Sequence, residues 1–137
     1  MESPDVLVEK LLPEARAVST RAWSPYSGVR VGAVVLGGEG RTYTGCNVES
    51  ASYGLTQCAE RNALAAAIAG GERPGHIGAI LIFATGFETL SPCGACRQVI
   101  SELMSKDAVI VACSEQHAPR SWTITELFPD PFSLQGS

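Results

Sequence analysis

Three cysteines constrain this chain more than any other feature: Cys58 stands alone, and Cys93 and Cys96 follow as a C-x-x-C pair 35 positions further on. Glu60 lies two residues after the lone cysteine. Three thiolates suit zinc, which takes sulfur ligands in tetrahedral geometry, and three protein ligands leave the fourth position open for water. A closed structural site wants four ligands, and the sequence offers no obvious fourth. His76 follows a Pro-Gly turn and His117 lies in a polar stretch, so both read as solvated surface residues. The expected cofactor is therefore one catalytic Zn²⁺ held by Cys58, Cys93 and Cys96. Taken alone, Glu60 is also a carboxylate favoured at a helix start. Its place beside the lone ligand points instead to proton transfer.

The pattern around these residues predicts where they sit. Val6, Leu7, Leu11, Ala15 and Val18 recur at helical spacing, which predicts an amphipathic helix from about Asp5 to Arg21. Ser24-Pro25-Tyr26-Ser27-Gly28 ends it. Val29 to Leu36 reads as a buried strand, Gly37 to Gly40 as a turn, and Arg41 to Cys46 as the returning strand of a hairpin. After a polar loop, Cys58 to Ala69 reads as an Ala-rich helix ended by Gly70-Gly71. Ile77 to Ala84 is an apolar strand, Cys93 to Met104 a helix with Pro92 at its start, and Ala108 to Cys113 a fourth strand. Ser121 to Ile124 reads as a fifth. This order predicts an α/β fold, a mixed sheet with helices on both faces. Both ligand segments then fall at helix starts, where free N–H groups and the helix dipole favour thiolates. Cys93 and Cys96 are one helical turn apart and face one metal. Three thiolates and Zn²⁺ sum to a net −1. Arg61 and Arg97, directly beside the ligands, are expected to donate to the sulfurs and restore Lewis acidity.

Composition narrows the partners. With 137 residues, 45% of them apolar, the chain supports one ordinary core and reads as a single domain over 1–137. No apolar run reaches the 18 or so residues of a membrane span, and Met1 to Asp5 carries no secretory leader pattern, so a cytoplasmic location is expected. The net charge is −4 and the ten basic residues are scattered, which disfavours a nucleic-acid partner and favours a small soluble substrate. Five cysteines are an odd number for a disulfide framework. Cys46 and Cys113 read as small buried apolar residues.

These motifs together resemble the small, homotetrameric, zinc-dependent cytidine deaminases over nearly the whole chain. The resemblance rests on Pro25-Tyr26-Ser27 with Val31-Gly32-Ala33, Gly45-Cys46-Asn47-Val48-Glu49, Ala51-Ser52-Tyr53, and Cys58-Ala59-Glu60-Arg61. It continues through Pro92-Cys93-Gly94-Ala95-Cys96-Arg97-Gln98 and Leu127-Phe128-Pro129 to Phe132. It implies a three-layer α/β/α fold with a mixed five-stranded sheet, and hydrolysis of cytidine and 2′-deoxycytidine to the uridine nucleosides and ammonia. It further implies that Asn47 and Glu49 bind the ribose 3′-hydroxyl and that Ala59 contacts the substrate. Ala51, through its backbone, and Tyr53 would reach the 5′ side of a substrate in a neighbouring subunit, and Phe132 would stack on the pyrimidine from another. In this family the position four after Pro25 is commonly Phe; here it is Val29, which leaves space near the base and raises N4-modified cytidines as alternative substrates. A catalytically silent zinc-stabilised binding protein is the remaining alternative.

Overall fold

Val31-Gly32-Ala33-Val34-Val35-Leu36 is too β-branched for a comfortable helix and too apolar for a surface. In the computed structural model, which describes residues 2–86 and 89–134, it forms β1 (Val31–Leu36) inside a five-stranded sheet. β2 (Thr42–Cys46) pairs antiparallel with β1, Gly32 opposite Cys46 and Leu36 opposite Thr42. β3 (Ile77–Ala84) pairs antiparallel on the other side of β1, and β4 (Met104–Cys113) runs parallel to β3. β5 (Arg120–Thr123) closes the order β2-β1-β3-β4-β5, antiparallel to β4.

Side-chain alternation along these strands separates two cores. Val34, Ala79, Leu81, Phe83, Val111 and Cys113 meet Leu7, Leu11 and Ala15 of α1 (Pro4–Ser19). Ala33, Val35, Ile80, Ile82 and Ile110 meet α2 (Ala59–Ala69) and α3 (Gly94–Leu103) through Ala63, Leu64, Ala67 and Ile100. A one-turn helix, α4 (Ile124–Leu127), adds Leu127 to this second core. The layers are thus α/β/α, as expected. Truncating a residue as enclosed as Leu64 would cost about 2–5 kcal/mol. No helix among the described residues is long and apolar enough to cross a membrane.

The starts of β1 and β4 and the burial of Cys46 differ from the sequence expectation. β1 begins at Val31, not Val29, because the Asn47 side chain takes over the pairing there: its Nδ2 donates to the Val29 carbonyl (2.9 Å) and its Oδ1 accepts from Val31 N–H (2.9 Å). β4 begins at Met104 rather than Ala108, so α3 passes into a strand without a loop. Its exposed Lys106 and Asp107 hide that strand from a hydrophobicity pattern. Cys46, expected to be buried, is half-exposed at the end of β2, whereas Cys113 is buried.

The direction of the strands settles where the helices start. β2 and β3 are both antiparallel to β1, so they run the same way and end at the same edge of the sheet. The helices that follow them, α2 and α3, pack on one face and begin at that edge.

Candidate metal centre

Cys58 is the N-cap of α2 and Cys93 the N-cap of α3. Neither side chain caps its own helix, so both sulfurs remain available. Cys96 lies in the first turn of α3 and is fully buried. The three Sγ atoms lie within 4.8 Å of one another, with Cys58 and Cys93 3.7 Å apart. Sulfurs bound tetrahedrally to zinc at about 2.3 Å are about 3.8 Å apart, so the donor set and its spacing fit that ion. Among the described residues no fourth His, Cys, Asp or Glu joins the group.

The electrostatics favour a thiolate at Cys58. The Cys58 thiol is pulled down to about 5 by a hydrogen bond from Cys96, by the Arg61 guanidinium and by Cys93, against the opposing effect of burial. Cys96 is pushed up in return, because it donates to Cys58 and is itself buried near Glu60. Arg61 Nη2 donates to Cys58 Sγ (3.3 Å) and to the Thr56 carbonyl (3.3 Å), which ties the charge of the cluster to the preceding loop. Glu60 is 7% exposed, and burial pushes its carboxyl up, with the Cys58 charge acting in the same direction. A carboxyl raised this way is better poised to exchange protons than an ordinary, fully ionised carboxylate.

Arg97 corrects the sequence expectation. No sulfur is among its hydrogen-bond partners: Nε donates to the Pro92 carbonyl (2.8 Å), Nη1 to the Leu127 carbonyl (2.6 Å) and Nη2 to Ser91 Oγ (3.2 Å). It holds backbone where Arg61 holds sulfur.

The remaining expected site residues lie outside the sulfur cluster. Glu49 accepts from Tyr26 N–H (3.0 Å), Ser27 N–H (3.1 Å) and Ser27 Oγ (2.5 Å), and the Ser27 bond is the main reason its carboxyl is held below the ordinary value. Glu49 and Tyr53 line one open cavity of about 360 Å³ with Tyr26, Ser27, Ser50 and Thr56. Asn47 is buried, Val29 is half-buried, and Ala51 is exposed. Ala59 is fully buried at the start of α2. Phe132 is 69% exposed, and its carbonyl accepts from Gln98 Nε2 (3.0 Å). A cavity of about 640 Å³ lies between Phe132 and the Gln98–Glu102 face of α3, and none of the three cysteines lines it. Both histidines are exposed, and neither belongs to the sulfur cluster. Ser27 and Gln98 carry bonds that no sequence argument assigned to them. Their signal was their position inside the Pro-Tyr-Ser and Cys-Arg-Gln stretches.

Comparison with known proteins agrees with this geometry. Residues 6–113 match the family described as "Cytidine and deoxycytidylate deaminase zinc-binding region". The cytidine deaminase of Halalkalibacterium halodurans is 39% identical over 127 residues, covering 93% of this chain and 95% of the relative. That of Mycobacterium tuberculosis is 38% identical over 131 residues, covering 96% and 93%. The crystal structure of cytidine deaminase from Burkholderia pseudomallei superposes with a TM-score of 0.85 at 42% identity, covering 90% of this chain and 98% of that one.

Proposed function

The chain belongs to the cytidine and deoxycytidylate deaminase zinc-binding family, and from that footing we propose the reaction its site carries out. It is an enzyme that deaminates cytidine, taking up water and releasing uridine and ammonia. The observation that carries this reading is the three-sulfur cluster at two helix starts, with Glu60 buried two residues after Cys58.

Cys58, Cys93 and Cys96 would hold the zinc, which when bound would supply the Lewis acidity that makes a water nucleophilic toward C4 of the pyrimidine. Glu60 would carry both protons: the one given up by the attacking water goes to N3, and the one from the hydroxyl then formed on C4 goes to the amine, which leaves as ammonia while C4 becomes the carbonyl of uridine. Arg61 offsets the excess negative charge of three thiolates through its bond to Cys58. We assign the sugar to the cavity bordered by Glu49 and Tyr53, since Glu49 retains lone pairs for a hydroxyl beyond its three present bonds. A carboxylate there repels phosphate, which favours free nucleosides, 2′-deoxycytidine included. Asn47 supports the same region by holding Val29 and Val31. The exposure of Tyr53 and Phe132 supports active sites shared between subunits of a homotetramer. Five free cysteines support work in a reducing cytoplasm, and conversion of free cytidine to uridine fits a role in pyrimidine salvage.

An ultraviolet assay of purified protein tests the reading. Cytidine and 2′-deoxycytidine should be converted, and cytidine 5′-monophosphate and free cytosine left nearly untouched. Failure to convert any cytosine nucleoside would refute it.

A further inference from the structure

Of the three cysteines, Cys93 is the most exposed, and it sits at the end of a loop rather than inside a helix. Burial holds Cys96, and Arg61 holds Cys58, yet neither acts directly on the backbone that presents Cys93. Arg97 does. Its backbone N–H donates to the Cys93 carbonyl (2.9 Å), and its side-chain Nε donates to the carbonyl of Pro92, one residue earlier (2.8 Å). The peptide groups on both sides of Cys93 are thus gripped by one residue. The grip has an anchor, because Nη1 donates to the carbonyl of Leu127, whose side chain is buried in the core beneath α3. A planar guanidinium can span two carbonyls in fixed geometry, which an ammonium cannot.

We infer that Arg97 is a positioning residue for the metal: it braces the Ser91–Cys93 loop against α4 and so fixes the Cys93 sulfur relative to Cys58 and Cys96. The neighbouring Gln98 performs a different task, holding the Phe132 carbonyl (3.0 Å). Arg97 therefore controls metal retention, while Gln98 controls the C-terminal segment. The inference rests on Cys93 being a ligand.

The test uses the zinc-loaded enzyme. Wild type, Arg97→Lys, Arg97→Gln and Gln98→Ala are mixed with a chromogenic chelator well below their melting temperatures, and zinc release is timed. Each is also reloaded with Co(II) and its absorption spectrum recorded. Loss of partners around metal ligands typically weakens binding 10–100-fold, so release from both Arg97 variants should be faster by about that factor, with altered cobalt–thiolate bands. Gln98→Ala should release zinc at the wild-type rate. Wild-type release and spectra in Arg97→Lys would overturn the inference. So would equal acceleration by Gln98→Ala, which would mean that α3 is merely loosened. Should Arg97→Gln fail to fold, Arg97→Lys, which keeps charge and stem, decides. Full zinc content in Cys93→Ala would instead remove the premise that Cys93 is a ligand, whatever Arg97 does.

Discussion

Replacing Gly45 by alanine tests how the sheet delivers Cys58 to the metal. Gly45 lies on β2, and a Cβ there would sit 2.5 Å from Ala63 N, 2.7 Å from the Ala59 carbonyl oxygen and 2.9 Å from the Asn62 carbonyl carbon. All three are backbone atoms of α2, so no side chain can rotate away. Ordinary contact is about 3.5 Å, so the helix must retreat from the sheet by about 1 Å. Overpacking of this kind costs about 1–3 kcal/mol. For a chain of this size that lowers Tm by roughly 4 °C per kcal/mol, or about 4–12 °C. The same retreat carries Cys58, the cap of α2, away from Cys93 and Cys96. A shift of about 1 Å is several times the tolerance of about 0.2 Å on metal–ligand distances. Gly45→Ala should therefore lose zinc as well as stability, and kcat should fall with zinc content. Calorimetry, metal analysis and steady-state kinetics measure the three. Gly78→Ala is the control, since a Cβ there meets nothing within 4 Å. A Gly45→Ala enzyme with wild-type Tm and full zinc would refute the claim that α2 rests on this glycine.

Glu60→Gln keeps the size of the side chain but cannot carry a proton, so kcat should drop at least 10²–10⁴-fold while zinc content stays at one per chain; more than about a tenth of wild-type kcat would remove Glu60 from its role. Cys58→Ala, Cys93→Ala and Cys96→Ala should each lose zinc, whereas Cys46→Ser and Cys113→Ser, both outside the sulfur cluster, should keep it by metal analysis. Phe132→Ala should raise KM for cytidine in a protein that light scattering reports as a tetramer; a fully active monomer would contradict shared sites. Val29→Phe should suppress any activity on N4-acyl or N4-alkyl cytidines while sparing cytidine, and equal effects on both would leave Val29 as ordinary packing.

The donor set was legible in the sequence because its logic is local. Cys93 and Cys96 are one helical turn apart, Glu60 leaves the turn that Cys58 begins, and Pro92 and the Ala-rich run mark both helix starts. The apolar run Ile77 to Ala84 was likewise legible as a strand, and its Leu81 and Ile82 face opposite layers of the fold. What depended on tertiary structure was every relation across distance. Cys58 reaches Cys93 only because β2 and β3 flank β1 in the same direction, and no spacing rule encodes that order. Arg61 and Arg97 hold equivalent places beside their ligands, yet one bonds a sulfur and the other two backbone carbonyls. The difference arises because Leu127, 30 residues on, folds back under α3 and offers its carbonyl. Asn47 and Glu49, expected at the sugar, also take partners within the chain that the sequence did not announce: Val29 and Val31 for one, Tyr26 and Ser27 for the other. A polar side chain takes whichever partners the fold brings within reach, and those partners are fixed only when the chain closes on itself.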